Sequence, residues 1–143
     1  MIAYRHTQVG WYILIPVVIT VILSGIFGII YAIPYLCILS IALLITVILF
    51  STLTVSIEER RIQIAFGIGI IRKGFLFENI QSASLVRNRW WYGWGIRFIG
   101  TGWLFNVSGL DAVELAMKNG KSYRIGTDEP QKLLEQIQSR LGK

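Results

Sequence analysis

Between His6 and Ile57 the chain carries no Asp, Glu, Lys or Arg. A stretch of this length without charge is typical of segments that cross a lipid bilayer, where charged side chains are costly. The stretch is interrupted near Pro34, so the pattern predicts two apolar helices, over Trp11–Tyr31 and Pro34–Leu53. At 1.5 Å per residue, each helix would be about 30 Å long, which matches the hydrocarbon thickness of a bilayer. We therefore expect an antiparallel membrane hairpin.

Small residues recur every four positions along both predicted helices. They are Thr20, Ser24 and Gly28 on the first helix, and Ala42 and Thr46 on the second. In a hairpin that turns near position 33, Ser24 would face Ala42 and Thr20 would face Thr46, so that the two backbones approach closely. The alternative is that these residues merely reflect the general abundance of small residues in membrane helices.

After Leu53 the spacing of apolar residues changes from helical to alternating, which is typical of β-strands. Strand-like runs cover residues 53–57, 62–66, 70–72, 75–77, 82–87, 94–99, 103–107, 112–117 and 122–125. Helical spacing returns at the end, over Asp128–Leu141. No strand–helix–strand unit occurs, so the pattern argues against a parallel sheet. The expected division is a hairpin over residues 1–53 and a mainly β domain over residues 54–143.

The distribution of charge predicts how the hairpin is oriented. Arg5 precedes the first helix and Arg60 and Arg61 follow the second, while the turn between the helices has neither Lys nor Arg. The positive-inside rule therefore predicts a multi-pass protein with both termini in the cytoplasm. The net charge of +6 suits an anionic lipid surface, but the basic residues are too scattered to indicate nucleic-acid binding.

Few residues in the chain could support catalysis. One histidine, His6, and one cysteine, Cys37, exclude an internal disulfide, a cysteine-based zinc site and a Ser-His nucleophile in the β domain. We therefore expect no catalytic, cofactor-binding or metal-binding residues. An enzyme acting on a lipid-linked substrate stays as a third hypothesis. It requires a cleft with two carboxylates, or one carboxylate beside Arg97 or Arg124, that have no structural partner.

One segment mixes cations with large aromatic residues, namely Arg87, Arg89, Trp90, Trp91 and Tyr92. Arginine, tryptophan and tyrosine are enriched both at protein interfaces and at the membrane–water boundary. We interpret the segment as a candidate contact for a partner protein or for the bilayer interface. The alternative is that some of these aromatic side chains fill the core.

A second candidate surface consists of Arg60, Arg61, Arg72 and Lys73, which the alternating pattern assigns to neighbouring strands of one hairpin. Four cations close to the second helix could attract anionic lipid headgroups, at about 1 kcal/mol for each cation. The alternative is a solvated face that serves only to set the membrane topology.

Four segments resemble the bacterial pleckstrin-homology (PH)-like domains found in small membrane proteins: Leu53–Gly67, Glu78–Ala83, Gly102–Gly109 and Ala112–Pro130. The resemblance covers residues 53–141. It implies a seven-stranded bent antiparallel sheet or partial barrel, capped by a C-terminal helix. It also implies residence in a bacterial cell membrane, but it carries no catalytic signature.

Together these features predict a non-enzymatic, membrane-anchored module without a cofactor. The module would bind an unidentified protein partner, or a second copy of itself, at the cytoplasmic face of the membrane. The alternative function is recognition of anionic lipid headgroups by the basic hairpin.

Overall fold

Two apolar helices lie side by side in the computed structural model, which describes residues 4–142. Helix α1 spans Trp11–Ile30 and helix α2 spans Pro34–Phe50. Within residues 4–142, α1 is the one helix both long and apolar enough to cross a membrane. Only 6% of its apolar 18-residue segment is buried inside the protein. Helix α2 has 17 residues and is shorter. The low burial of α1 distinguishes it from the core helix of a soluble domain.

The contact between the helices uses small residues, but in a different register from the one expected. The hydroxyl groups of Ser24 and Ser40 lie 2.7 Å apart. A Cβ atom on Gly28 would lie 2.7 Å from the Cys37 sulfur atom, so the two backbones are close at this point. The prediction that Ser24 faces Ala42 is therefore wrong by two residues, because the hairpin turns around Ala32 and not around Ile33.

Nine strands occur within residues 4–142, and they form two sheets. Sheet A has the order β1-β2-β3-β4 and consists of β1 (Tyr4–Val9), β2 (Thr52–Ile57), β3 (Arg61–Phe66) and β4 (Ile71–Leu76). Sheet B has the order β5-β8-β9-β7-β6 and consists of β5 (Ile80–Arg87), β6 (Gly95–Phe98), β7 (Gly102–Asn106), β8 (Asp111–Met117) and β9 (Ser122–Gly126). Helix α3, over Pro130–Leu141, packs against β5 and β8. We call the strands together with α3 the β part.

The broad prediction of an apolar helix, a mainly β part and a C-terminal helix is confirmed, but the finer topology differs. The strands form two separate sheets, not one bent seven-stranded sheet or barrel. Strand β1, which precedes α1, was not predicted. Strands β7 and β9 are parallel, contrary to the expectation. Strand β9 lies between β7 and β8, which run in opposite directions, so it is antiparallel to β8 and parallel to β7.

A single apolar core lies between the sheets and beneath α3. Inward-facing side chains alternate along each central strand, as the sequence pattern predicts. The buried core includes Leu53, Val55, Ile57, Ile62, Ile64 and Phe66 from sheet A, and Val113, Leu115 and Ile125 from sheet B. Leu133 and Ile137 of α3 are also fully buried, so the apolar face of this helix closes the core.

The helix pair is joined to sheet A by backbone hydrogen bonds. Val9, at the end of β1, pairs with Thr52, at the start of β2, in an antiparallel ladder. Beyond this pair, the Gly10 N–H donates to the Ser51 carbonyl over 2.7 Å. The start of α1 and the end of α2 are therefore held together where β1 ends and β2 begins.

Gly67 provides a test of the contact between sheet A and α2. Its φ of +51° is unfavourable for other residues, and a Cβ atom there would overlap the Ile48 and Leu49 carbonyl groups. We expect Gly67→Ala to lower the melting temperature in detergent by much more than Gly120→Ala. Gly120 is the matched control, because its φ is +82° and a Cβ atom would meet nothing within 4 Å. Equal losses in the two variants would contradict a tight contact between the turn and the helix.

Candidate functional site

The turn between β3 and β4 places two isoleucines beside the end of α2. Because Gly67 lies against the carbonyl groups of Ile48 and Leu49, the turn packs directly on the last turns of the apolar helix. Ile68 and Ile70, in the same turn, are 69% and 68% exposed. Exposed isoleucines in a tight turn have no role in the core, and here they form an apolar patch beside the end of an apolar helix.

The aromatic segment predicted as a contact surface forms a short 3₁₀ turn, Trp90–Tyr92. Trp90 is 74% exposed and Trp91 is 58% exposed, so neither side chain fills the core. The Arg89 guanidinium lies over the Trp91 ring at 5.1 Å from the ring centroid, in cation–π geometry. Arg87, at the end of β5, is also exposed.

This aromatic turn is held beside the first turn of α1. Two residues after the turn, Trp94 stacks on Tyr12 of α1, with ring centroids 6.3 Å apart and planes 9° apart. The Arg97 side chain donates to the Trp94 carbonyl over 3.1 Å. Loops from both sheets thus flank the base of the helix pair. We call their exposed side chains, together with those of the first turn of α1, the apolar rim: Trp11, Tyr12, Ile68, Ile70, Trp90 and Trp91.

A polar network fixes the other end of the aromatic turn. The Asn88 N–H donates to the Leu110 carbonyl over 2.7 Å, and the Asn88 side chain is buried. Arg124 donates both to the Asn88 side-chain oxygen over 3.3 Å and to Glu114 over 2.6 Å. Arg124 and Glu114 therefore have structural partners, and they do not form the unpartnered pair that the enzyme hypothesis requires.

The four cations proposed as a lipid-binding patch are not brought together. In the β3–β4 register, Arg61 lies opposite Leu76 and Arg72 lies opposite Ala65. The two arginines are therefore four residues apart along the hairpin, or about 13 Å. Arg60 stays with Arg61 at the end far from α2. Arg61 is paired with Glu58 at 2.6 Å. Lys73 projects from the opposite face of β4, with its ammonium 5.9 Å from the Tyr123 ring.

The outer face of sheet A instead holds a polar groove that sequence reasoning missed. The groove is about 340 Å³ in volume, and its floor consists of Thr54, Ser56, Gln63 and Ala65. Arg5 lies on one side, while Arg72 and the turn formed by residues 67–69 lie on the other. The alternation of β1, β2 and β3 could have indicated this face. It was hidden because β1 was not identified, so Arg5 was considered only for topology.

A cluster of titratable side chains links β1 to the start of α3. The His6 imidazole lies 2.6 Å from Asp128 through Nε2 and 3.5 Å from Glu129 through Nδ1. Lys132 also contacts Glu129, at 3.1 Å. His6, the one histidine of the chain, thus belongs to a cluster that joins β1 to the start of α3. Because both imidazole nitrogens face carboxylates, His6 links β1 to the residues that precede α3.

Tyr4 completes this cluster, and its hydroxyl donates to Glu129 over 3.4 Å. Burial, followed by the negative charge of Glu129, raises the pKa of Tyr4 to about 12 from its usual value near 10. Both effects disfavour the phenolate.

Neither a metal site nor a match to a known family defines these residues. Within residues 4–142, no group of three or more His, Cys, Asp or Glu side chains could hold a metal ion. The chain matches no protein-family model. It also has no significant match among curated proteins.

The cluster predicts an alkaline loss of stability that depends on Tyr4. An unfolded chain releases the tyrosine proton near pH 10, whereas the folded chain keeps it until about pH 12. The free energy of unfolding should therefore fall as the pH rises from 10 to 12, and this part of the fall should vanish in Tyr4→Phe. Absorbance titration at 295 nm in detergent should show a transition near pH 12 in the wild type. This transition should be lost in Tyr4→Phe and kept in the control Tyr92→Phe. A Tyr4 transition near pH 10 would contradict the assignment.

Proposed function

We propose that this protein is a non-enzymatic, membrane-anchored binding module with a PH-like β part that rests on the bilayer surface. The observation that supports the proposal is the apolar rim, in which exposed isoleucines and tryptophans from two separate loops flank the base of the apolar helices. Tryptophan prefers the headgroup region, and isoleucine prefers the hydrocarbon boundary just beneath it. The rim thus has the chemistry of a membrane contact on both sides of the helix pair.

A hairpin topology follows from the ladder between β1 and β2. Because Val9 pairs with Thr52, the chain enters α1 and leaves α2 at the same place. If α1 crosses the bilayer, α2 must return to the same side. Its 17 residues extend about 26 Å, and local thinning or flanking residues can accommodate the small mismatch. We propose that both termini lie in the cytoplasm of a bacterial cell, because Arg5 precedes α1 and Arg60 and Arg61 follow α2 in the sequence.

Binding is favoured over catalysis by the structural partners of four carboxylates. Glu58 is paired with Arg61, and Glu114 with Arg124, in ion pairs that stabilise a turn and a strand pair. Asp128 and Glu129 hold the link between β1 and α3. The module would therefore act by positioning: the rim fixes the β part on the membrane, and its remaining surface is presented to a protein partner or a second copy.

Site-specific labelling can test whether the rim contacts lipid. In a Cys37→Ala background, Ile70→Cys, Trp91→Cys and Phe98→Cys would be labelled with the fluorophore NBD in the full-length protein in liposomes. Phe98 is the control, because it is 63% exposed but belongs to the β6–β7 hairpin outside the rim. We expect blue-shifted emission and quenching by doxyl-labelled lipids at positions 70 and 91, and a water-like spectrum at position 98. Water-like spectra at all three positions would overturn the seating on the bilayer.

Cysteine accessibility can test the hairpin topology. In the same background, Tyr31→Cys lies between the helices and Lys118→Cys lies in the turn between β8 and β9. In intact bacterial spheroplasts, an impermeant maleimide should label position 31, and it should label position 118 only after lysis. Labelling of position 118 before lysis, with position 31 protected, would reverse the orientation. Protection of both positions until lysis would contradict a crossing by α1.

A further inference from the structure

We infer that the polar groove on the outer face of sheet A binds a phosphate ester of a polyol, such as the headgroup of an anionic phospholipid. The inference rests on the proposed seating of the β part on the bilayer, because one end of the groove is formed by the turn that carries Ile68. The ligand site therefore lies beside the apolar rim.

The groove floor is unusual for an exposed sheet face because long charged side chains are missing from its centre. The two central strands present Thr54, Ser56, Gln63 and Ala65 to the groove, all of them short or neutral. The Thr54 hydroxyl also bonds the Thr7 hydroxyl of β1 at 2.8 Å. Hydroxyl and amide groups both donate and accept hydrogen bonds, so this floor is suited to the hydroxyls of a polyol.

Two arginines stand on opposite edges of this floor. Arg5 is on β1 and Arg72 is on β4, three interstrand spacings apart, or about 14 Å. Arg72 is positioned by a hydrogen bond from its Nε to the Gly69 carbonyl. Within residues 4–142, no carboxylate forms an ion pair with Arg5. Glu58 also lines the groove, but its charge is balanced by Arg61 at 2.6 Å, so the remaining positive charge of Arg5 and Arg72 favours an anion.

The depth of the groove relative to the helices favours a ligand at headgroup level. Arg72 lies at the end next to the turn that packs on α2, and Arg5 lies farther along the strands. A phosphate bound by Arg72 would sit close to the membrane surface, with its polyol extending over Ser56 and Gln63. The same chemistry could be supplied by a soluble phosphate ester, so the test must separate the two sources.

Full-length protein in nanodiscs provides the test. In the first arm, discs containing phosphatidylglycerol and phosphatidylcholine are used, and native mass spectrometry counts the phosphatidylglycerol molecules retained by the released protein. In the second arm, pure phosphatidylcholine discs are titrated with glycerol 3-phosphate by calorimetry. Three variants are compared with the wild type: Arg5→Gln with Arg72→Gln, Gln63→Leu, and the control Lys118→Gln with Lys121→Gln. The control removes two exposed positive charges from the turn between β8 and β9.

We expect the arginine double variant and Gln63→Leu to lose retained phosphatidylglycerol or bound glycerol 3-phosphate at least several-fold, while the control keeps it. Loss in the first arm alone identifies a lipid ligand, and loss in both arms identifies the phosphate ester itself as sufficient. An equal loss in the lysine control would reduce the effect to diffuse charge and overturn the site. Wild-type binding in neither arm would do the same.

Two further comparisons keep the result interpretable. Arg5→Gln alone covers the case in which the double variant does not fold, because Arg5 is exposed and its removal breaks no ion pair among the described residues. The labelling at positions 70 and 91 reports the seating on the bilayer separately. A lipid-exposed rim with no ligand in the groove would overturn the groove alone, whereas a water-exposed rim would overturn the proposed function.

Discussion

The ladder between β1 and β2 is the contact on which the rest of the structure depends. The helices of the pair are apolar on all sides, so they have no polar stripe that could orient them relative to the β part. Their orientation is set instead by backbone hydrogen bonds, from the Val9–Thr52 pair to the Gly10–Ser51 bond at the helix base. These bonds are directional, so they fix both helix ends at the point where β1 ends and β2 begins.

The position of the apolar rim follows from that ladder. Strand β2 leads away from the helices, and β3 returns to them, so the next turn must lie against α2, where Phe50 also packs edge-on against Phe66 at 5.7 Å. On the side of α1, Gly10 allows close approach of the Val107 backbone from sheet B. This contact, with the stacking of Trp94 on α1, brings the aromatic turn to the helix base. One short ladder thus places loops from both sheets beside the base of the helix pair.

Sequence periodicity predicted the helices well, because apolar composition alone determines where they can lie; the end of α2 differs from the expected one by three residues. It missed β1, because this strand is short, carries His6 and Gln8 among its inward positions, and pairs with a strand more than 40 residues away. Whether Trp90 and Trp91 fill the core was left open, because local composition does not show which way a side chain points, and the structure exposes both. The groove needed register information: only the pairing of four strands brings Arg5 onto the same face as Arg72.

Sheet A can bury a core and still expose a polar groove because helix α3 covers other strands. An antiparallel sheet tolerates one face in water, and alternate residues of β2 and β3 serve the two faces. On one face, Val55 and Ile64 are buried in the core, while on the other Ser56 and Gln63 line the groove. Helix α3 packs on β5 and β8, so it leaves the outer face of sheet A open. Because the same sheet carries the helix pair, any ligand in the groove is held at a set distance from the base of the helices.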